Sequence, residues 1–230
     1  MKKFNRREAM GIAAGATVAG SALLSGCAEN NKRNKMGKAK HQQYKNEDFY
    51  KADGSFDTPK AKQAYYEMME YFNYPIPERL RSEEFWAVDF GLGRFTEVGM
   101  AGILWINEQE DNYMGHEIFL LPGQRIPEHG HNKTDIAIAK REGWMPRYGM
   151  IHIYGEGVPT PGADADIPEA EKRYWIAKTK KTLMPGEVGK LEVPETMHWM
   201  YAGDEGAIVT EFATFHDGAA LKFSNPNVSF

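Results

Sequence analysis

The chain has 230 residues, with 28 Lys/Arg, 32 Asp/Glu, one Cys and a formal net charge of −4. The first 50 residues hold ten of the basic and four of the acidic groups. The remainder is therefore acidic by about ten charges, which excludes the basic surface a nucleic-acid binder needs. One cysteine excludes an intrachain disulfide, and 23 Gly with 12 Pro predict the many turns of a β-rich fold in one or two domains.

Residues 1–26 read as a targeting segment. Lys2, Lys3, Arg6 and Arg7 form a basic start. The Ala/Gly/Val/Leu run over 11–24 is too short and too small in its side chains to span a bilayer durably. It closes in Leu23-Leu24-Ser25-Gly26-Cys27, which resembles a bacterial lipobox, and Arg6-Arg7 resembles a twin-arginine signal. The resemblance implies a signal peptide over 1–26, lipidation at Cys27 and export. The lipoprotein is then expected at the periplasmic or outer face of a bacterial membrane, held by its lipid anchor alone. The alternative for Cys27 is a buried free thiol.

Residues 27–50 are polar and rich in Lys, Asn and Gln, with almost no apolar periodicity. This composition predicts a disordered tether. Its lysines either lie against anionic headgroups or form a plain solvated spacer. Residues 51–85 are expected to form a helical segment packed on the following domain or on a partner. One helix is predicted over 58–73, with Thr58 as N-cap and Pro59 at the first helical position. Ala64, Tyr65, Met68, Met69 and Phe72 recur at three- and four-residue steps and give it one apolar face. A second short helix is predicted over 78–85.

From residue 86 to 230 the period changes to that of strands. FWAVDFG, GMAGILWIN, HEIFLLPG, TDIAIA, YGMIHIYGEG, YWIAKT, KLEVPE, MHWMYAG and GAIVTEFATF are short β-rich runs separated by Gly, Pro, Asp and Asn. A tight turn is expected at Gly-Asp-Glu-Gly between the last two. Eight or more such strands around one core predict an all-β jelly roll, a double-stranded β-helix of the cupin type. The Pro/Gly/Asp-rich stretch 155–171 is expected as a rim loop over the barrel mouth.

Within this domain, His129 and His131 stand two apart and Glu142 follows eleven residues after His131. On a strand, residues i and i+2 share a face, so two imidazoles can grip one ion. A carboxylate on the next strand and His198 complete a set of three His and one Glu. Such a mixed N/O site suits Mn²⁺, Fe²⁺, Co²⁺, Ni²⁺ or Zn²⁺. Ordinary polar surface residues are the alternative.

The array Gly-x5-His-x-His, spacer, Glu-x6-Gly over 123–149 resembles the first cupin motif, with a longer spacer than usual. Pro194 and His198 resemble part of the second, with Thr196 in place of its glycine. LPGQRIPEHGH, RYGMIHIYGEG, VPETMHWMYAGDEGAIVTE and FSNPNV narrow the likeness to the D-lyxose isomerase family of cupins, over residues 89–230. That resemblance implies a metal-dependent aldose–ketose isomerase, with Mn²⁺ the expected ion. It acts on a D-lyxose- or D-mannose-like sugar through an enediol, and the expected assembly is a homodimer.

Proton transfer between adjacent carbons needs a base on one face of the enediol. Glu211 lies in an apolar strand and in the family-like VTE segment, so it is the expected base, its pKa raised by burial. The family carries Lys-Glu where this sequence has His116-Glu117, which passes the donor role to His116. Glu128, Arg147 and Tyr148 fit the family pattern as substrate-binding residues, or are structural. Trp199 either stacks on a sugar face or is a core tryptophan. Met145 stands where a basic residue is expected. His152 and His216 have no supporting spacing and are not expected as ligands. Two other readings compete: a cupin oxygenase using Fe²⁺ and O₂, and a non-catalytic sugar-binding lipoprotein that has lost its acid/base pair.

Overall fold

The computed structural model describes residues 43–230. The expected signal segment, Cys27 and most of the tether lie outside them. One helix, α1 (Thr58–Tyr71), precedes nine strands. These are β1 (Trp86–Val88), β2 (Met100–Glu108), β3 (Tyr113–Leu120), β4 (Arg125–His131), β5 (Glu142–Gly155), β6 (Thr179–Leu183), β7 (Gly189–Lys190), β8 (His198–Ala213) and β9 (Leu221–Phe223). All the strand pairs are antiparallel. The path runs β1-β2-β3-β8-β4-β9, and β5 joins β6, β7 and β8. The sheet curls into a cupin-like β-barrel.

β5 and β8 form the spine. They pair from Glu142↔Ala213 to Gly155↔His198, and β8 has β3 on its other edge over 207–213 and β4 over 198–201. The two halves are joined where Gly149↔Ala207 gives way to Ile151↔Ala202. Residues 203–206 of β8 are extra there and form an excursion opposite Met150. The Gly-Asp-Glu-Gly segment is thus an irregularity inside one long strand, not a turn between two. Gly149 has φ 67 and Gly206 has φ 74. A Cβ on Gly149 would overlap the carbonyl oxygen of Gly206, so only glycine allows the backbones to approach.

The apolar residues divide between the two faces of this sheet, as strand alternation requires. Ile118, Trp144, Ile153, Met200 and Val209 face inward. Phe119 and Ile208 face outward and meet Tyr65, Met68 and Met69 of α1. The α1 stripe therefore covers the outside of the barrel. Its N-cap is Asp57, whose carboxylate accepts from the Lys60 amide at 3.1 Å, so Thr58 falls one position inside the helix. The helix ends at Tyr71, because Asn73 turns left-handed at φ 53. The second predicted helix is one 3₁₀ turn, Glu78–Arg81.

Two predicted strands are absent among the described residues. In TDIAIA, Ile136 and Ile138 are exposed and only Ala137 is buried, so its alternation meets no partner sheet. In YWIAKT, the amides of Ile176 and Ala177 donate to the Glu128 carboxylate, not to a neighbouring strand. KLEVPE keeps only its first residue, Lys190, in a strand, the two-residue β7. The 155–171 stretch does not line the cavity. Its Ala163 and Ile167 pack with Tyr154, Trp175 and Trp199 in a separate apolar cluster.

Gly149→Ala should lower stability by about 2–3 kcal/mol from the left-handed backbone alone. Thermal denaturation should show a Tm lower by roughly 4–12 °C; an unchanged Tm would contradict the close approach at the bend.

Candidate active site

Ile126 of β4 lies opposite Met200 of β8, and His129 lies opposite His198. Three residues of β4 therefore span what two residues of β8 span. This bulge resets the alternation of β4. Beyond it, His129 and His131 line the same cavity as Ile126, while Glu128 is turned away.

The candidate ligand atoms of His129, His131 and His198 lie within 4.8 Å of one another. Glu142, the first residue of β5, reaches them from the side. Its Oε1 is 3.2 Å from His198 Nε2 and its Oε2 is 3.8 Å from His131 Nε2. The rings of His129 and His198 are fixed through Nδ1 to the carbonyls of Pro127 (2.8 Å) and Thr196 (3.0 Å). A donor role for Nδ1 leaves Nε2 as the free coordinating nitrogen. Both nitrogens of His131, Nε2 of His198 and Oε1 of Glu142 are buried with no hydrogen-bond partner. The His198–Glu142 approach is close, but its angles do not make a hydrogen bond. Orphaned buried donors and acceptors that converge are costly unless a further group satisfies them. Three imidazoles and a carboxylate fit a divalent metal. Burial holds the pKa of His129 and His131 well below the ordinary imidazole value, so both are neutral, as ligands must be. Burial also opposes charge on His198, but the Glu142 carboxylate outweighs it and raises the pKa.

Beside this cluster lies a second group. Cross-strand register sets Leu104, His116, Glu211 and Trp144 in one row over β2, β3, β8 and β5. His116 Nδ1 is 2.9 Å from Glu211 Oε2, and Lys140 Nζ donates to Glu211 Oε1 at 2.6 Å. The same ammonium lies 3.2 Å from Glu142 Oε2, so Lys140 ties the row to the ligand cluster. Gly102 makes room for the His116 ring, since a Cβ there would overlap its Nε2. Burial alone would raise the pKa of Glu211, but Lys140 and His116 carry it well below the usual carboxylate range. The expectation of a raised value is therefore corrected: Glu211 is ionised. Burial opposes the charge on Lys140, yet Glu211 and Glu142 hold its pKa above the ordinary lysine value.

The structure brings His129, His131, Glu142, His198, Glu211 and His116 into one cavity of about 360 Å³. It does not bring Glu128, Arg147 and Tyr148 there. Glu128 is fully buried behind His129, where it accepts from the amides of Ile176 and Ala177 and from Ser224 Oγ. Arg147 lies on the outer face, where its Nε donates to Thr210 Oγ1 at 2.8 Å. Tyr148 packs against Phe72 and Tyr74 beside α1. Trp199 borders the cavity, but its ring stacks on Tyr154 at 3.6 Å and donates to the Ala177 carbonyl. It is a core tryptophan with that face already covered.

Lys140 and His216 are the residues that sequence reasoning misses. Lys140 stands two before Glu142, in the segment that leads into β5 and outside any strand, so alternation alone does not assign its direction. His216 lies against His131, with ring centroids 5.5 Å apart, and burial pushes its pKa down to about 4. Asn107 clamps its backbone, accepting from the His216 amide and donating to its carbonyl.

Solved L-ribose isomerases share this architecture. That of Cellulomonas parahominis superposes with a TM-score of 0.58 at 13% identity, over 74% of this chain and 92% of that one. That of Acinetobacter sp. DL28, in complex with L-ribose, gives 0.58 at 13% identity over 73% and 91%. At such identity the likeness speaks for the fold, a cupin barrel of the kind these sugar isomerases use. No family model matches the chain, but whole sequences do. A D-lyxose ketol-isomerase of Thermofilum sp. is 37% identical over 146 residues, 64% of this chain and 79% of that protein. A D-lyxose/D-mannose isomerase of Thermosediminibacter oceani is 35% identical over 164 residues, 71% and 88%. The chain belongs to the D-lyxose isomerase family and is an aldose–ketose isomerase.

Glu128→Ala should cost about 2–4 kcal/mol of stability, because it strands buried donors. Arg147→Ala should change stability by no more than about 0.5 kcal/mol and leave the KM for sugar unaltered. Denaturation and steady-state kinetics check both; a raised KM in Arg147→Ala would return that residue to the site.

Proposed function

We propose that this isomerase moves a proton between C1 and C2 of a linear aldose resembling D-lyxose or D-mannose, with Glu211 as the base. The observation that carries the reading is the buried, ionised Glu211 carboxylate. It is held by Lys140 and His116 beside the His129, His131, Glu142 and His198 cluster. A divalent ion in that cluster, in our reading Mn²⁺, supplies a Lewis acid for the two sugar oxygens. Glu211 takes the C2 proton, and the same carboxyl, now neutral, returns it to C1 on one face of the planar enediol, while the hydroxyl proton on O2 passes to O1, so that C1 becomes a hydroxymethyl and C2 a ketone. Glu142 belongs to the ligand cluster and is not free for this step. Lys140 has three N–H donors; two point to Glu211 and Glu142, and the third is available to a substrate oxygen. His116 donates through Nδ1 to Glu211 and orients it, a positioning role in place of the donor role expected from sequence. The family assignment favours this reading over an iron oxygenase and over a non-catalytic sugar-binding lipoprotein, and the Lys140–Glu211 pair supplies the acid/base equipment that the latter would lack.

Glu211→Gln should keep the metal but lose turnover by roughly 10²–10⁴-fold. The measurement is ketose formation from an aldose panel under anaerobic conditions, with metal content read in parallel. Near-full activity in Glu211→Gln would remove the base from this mechanism. His131→Ala should lose both metal and activity; unchanged metal content would break the ligand assignment. We further propose that Cys27 is lipidated and that the enzyme is exported, which the Leu23-Leu24-Ser25-Gly26-Cys27 segment behind its basic leader supports. Mass spectrometry of the mature protein decides this, and an unmodified Cys27 would refute it.

A further inference from the structure

The lining of the cavity is chemically divided. Its ionisable side chains all belong to the cluster already described: the four candidate ligands, Lys140, Glu211, His116 and His216. Among the described residues, no Ser, Thr, Asn, Gln, Asp, Arg or Tyr lines it. The remaining walls are aliphatic, thioether or aromatic, Val88, Met100 and Ile126 among them, and the N–H groups their side chains offer are the indoles of tryptophan. An aromatic arc follows the wall from His129 to His116. Phe223 lies 6.0 Å from the His129 ring, Phe90 6.0 Å from Phe223, and Phe230 5.9 Å from Phe90. Trp86 then lies 5.4 Å from Phe230 and stacks on His116 at 5.8 Å. Phe230 is 65% exposed, which places this part of the arc at the mouth.

A sugar held at O1 and O2 by the polar cluster must lay its far carbons along these walls. A hydroxyl pressed there has no side-chain acceptor and loses its water. A methyl group there is instead removed from water against carbon. We infer that the preferred substrate is a terminally deoxygenated aldose, whose terminal methyl packs against Phe90, Phe230 and Trp86. This rests on the isomerase reading above and specifies the substrate class of that same site. The expected preference is roughly 10- to 100-fold, the worth of one small group in an apolar pocket.

The test uses the full-length protein loaded with Mn²⁺ and matched sugar pairs that differ only at the last carbon. The pairs are D-mannose and 6-deoxy-D-mannose, L-mannose and 6-deoxy-L-mannose, and D-lyxose and 5-deoxy-D-lyxose. In each series that turns over, the deoxy member should show the higher kcat/KM by that factor. Equal values, or a preference for the hydroxylated member, overturn the inference and mean that the far end reaches water through the mouth. A second arm titrates the corresponding alditols, which cannot isomerise, against tryptophan fluorescence. Tighter binding of the deoxy alditols without any sugar turnover would sink the isomerase reading and support the pocket's preference. Equal binding would sink the preference whatever the turnover. Phe223→Tyr, which adds a hydroxyl to the arc, should bring the ratio toward one in both arms; an unchanged ratio counts against the arc.

Discussion

The full-length antiparallel pairing of β5 with β8 is the constraint from which the site follows. Each strand belongs to both halves of the barrel, so one ladder fixes residues that are far apart in sequence. Glu142 and Trp144 come from the start of β5, Glu211 from the end of β8 and His198 from its beginning. β3 and β4 then dock on the free edge of β8 and deliver His116 opposite Glu211 and His129 opposite His198. Candidate ligands and candidate base are thus placed by hydrogen-bonded register rather than by loops, and strands hold such geometry more tightly than loops do.

Charge inside the cavity follows a simple balance. Glu142 and Glu211 bring two negative charges, and Lys140 returns one positive charge between them. One negative charge is left in a largely apolar chamber, where unpaired charge is expensive. Three imidazoles beside it, which ligate in their neutral form, make the remaining place suitable for a cation. The ion that fits the site is therefore also what balances the interior, so holding metal and holding shape are linked.

Much of this is legible in the amino-acid sequence. The period-two spacing of His129 and His131, the later Glu142 and His198, and the β-rich runs lead to the barrel and the ligand cluster. Glu211 stands out because a carboxylate in an apolar strand needs a reason. Where expectation and structure part, the causes are physical. Motif position points to Glu128, Arg147 and Tyr148, but the β4 bulge and the irregularities in the β5–β8 ladder decide which way side chains point. Those shifts depend on pairing, which no single segment encodes. TDIAIA alternates like a strand yet has no partner sheet, and YWIAKT gives its amides to a buried carboxylate. Lys140 precedes β5 on a segment with no strand period, so the rule that finds the histidines does not reach it, and the expectation of a lysine on β3 points elsewhere.

The bulge of β4 also bears on how such a barrel can change over time. Three residues there span what two span on β8, and that count alone turns His129 and His131 inward and Glu128 outward. Deleting one residue between Ile126 and His129 would restore plain alternation and keep both imidazoles inward, whereas regular pairing at the present length would bring the carboxylate into the cavity and turn the imidazoles out. Conversion between a metal-holding barrel and a metal-free one is therefore open to loss of the bulge at unchanged length, without replacing any of the residues that define the chemistry. The pairing of one short segment is thus as consequential for the site as the identity of its ligands.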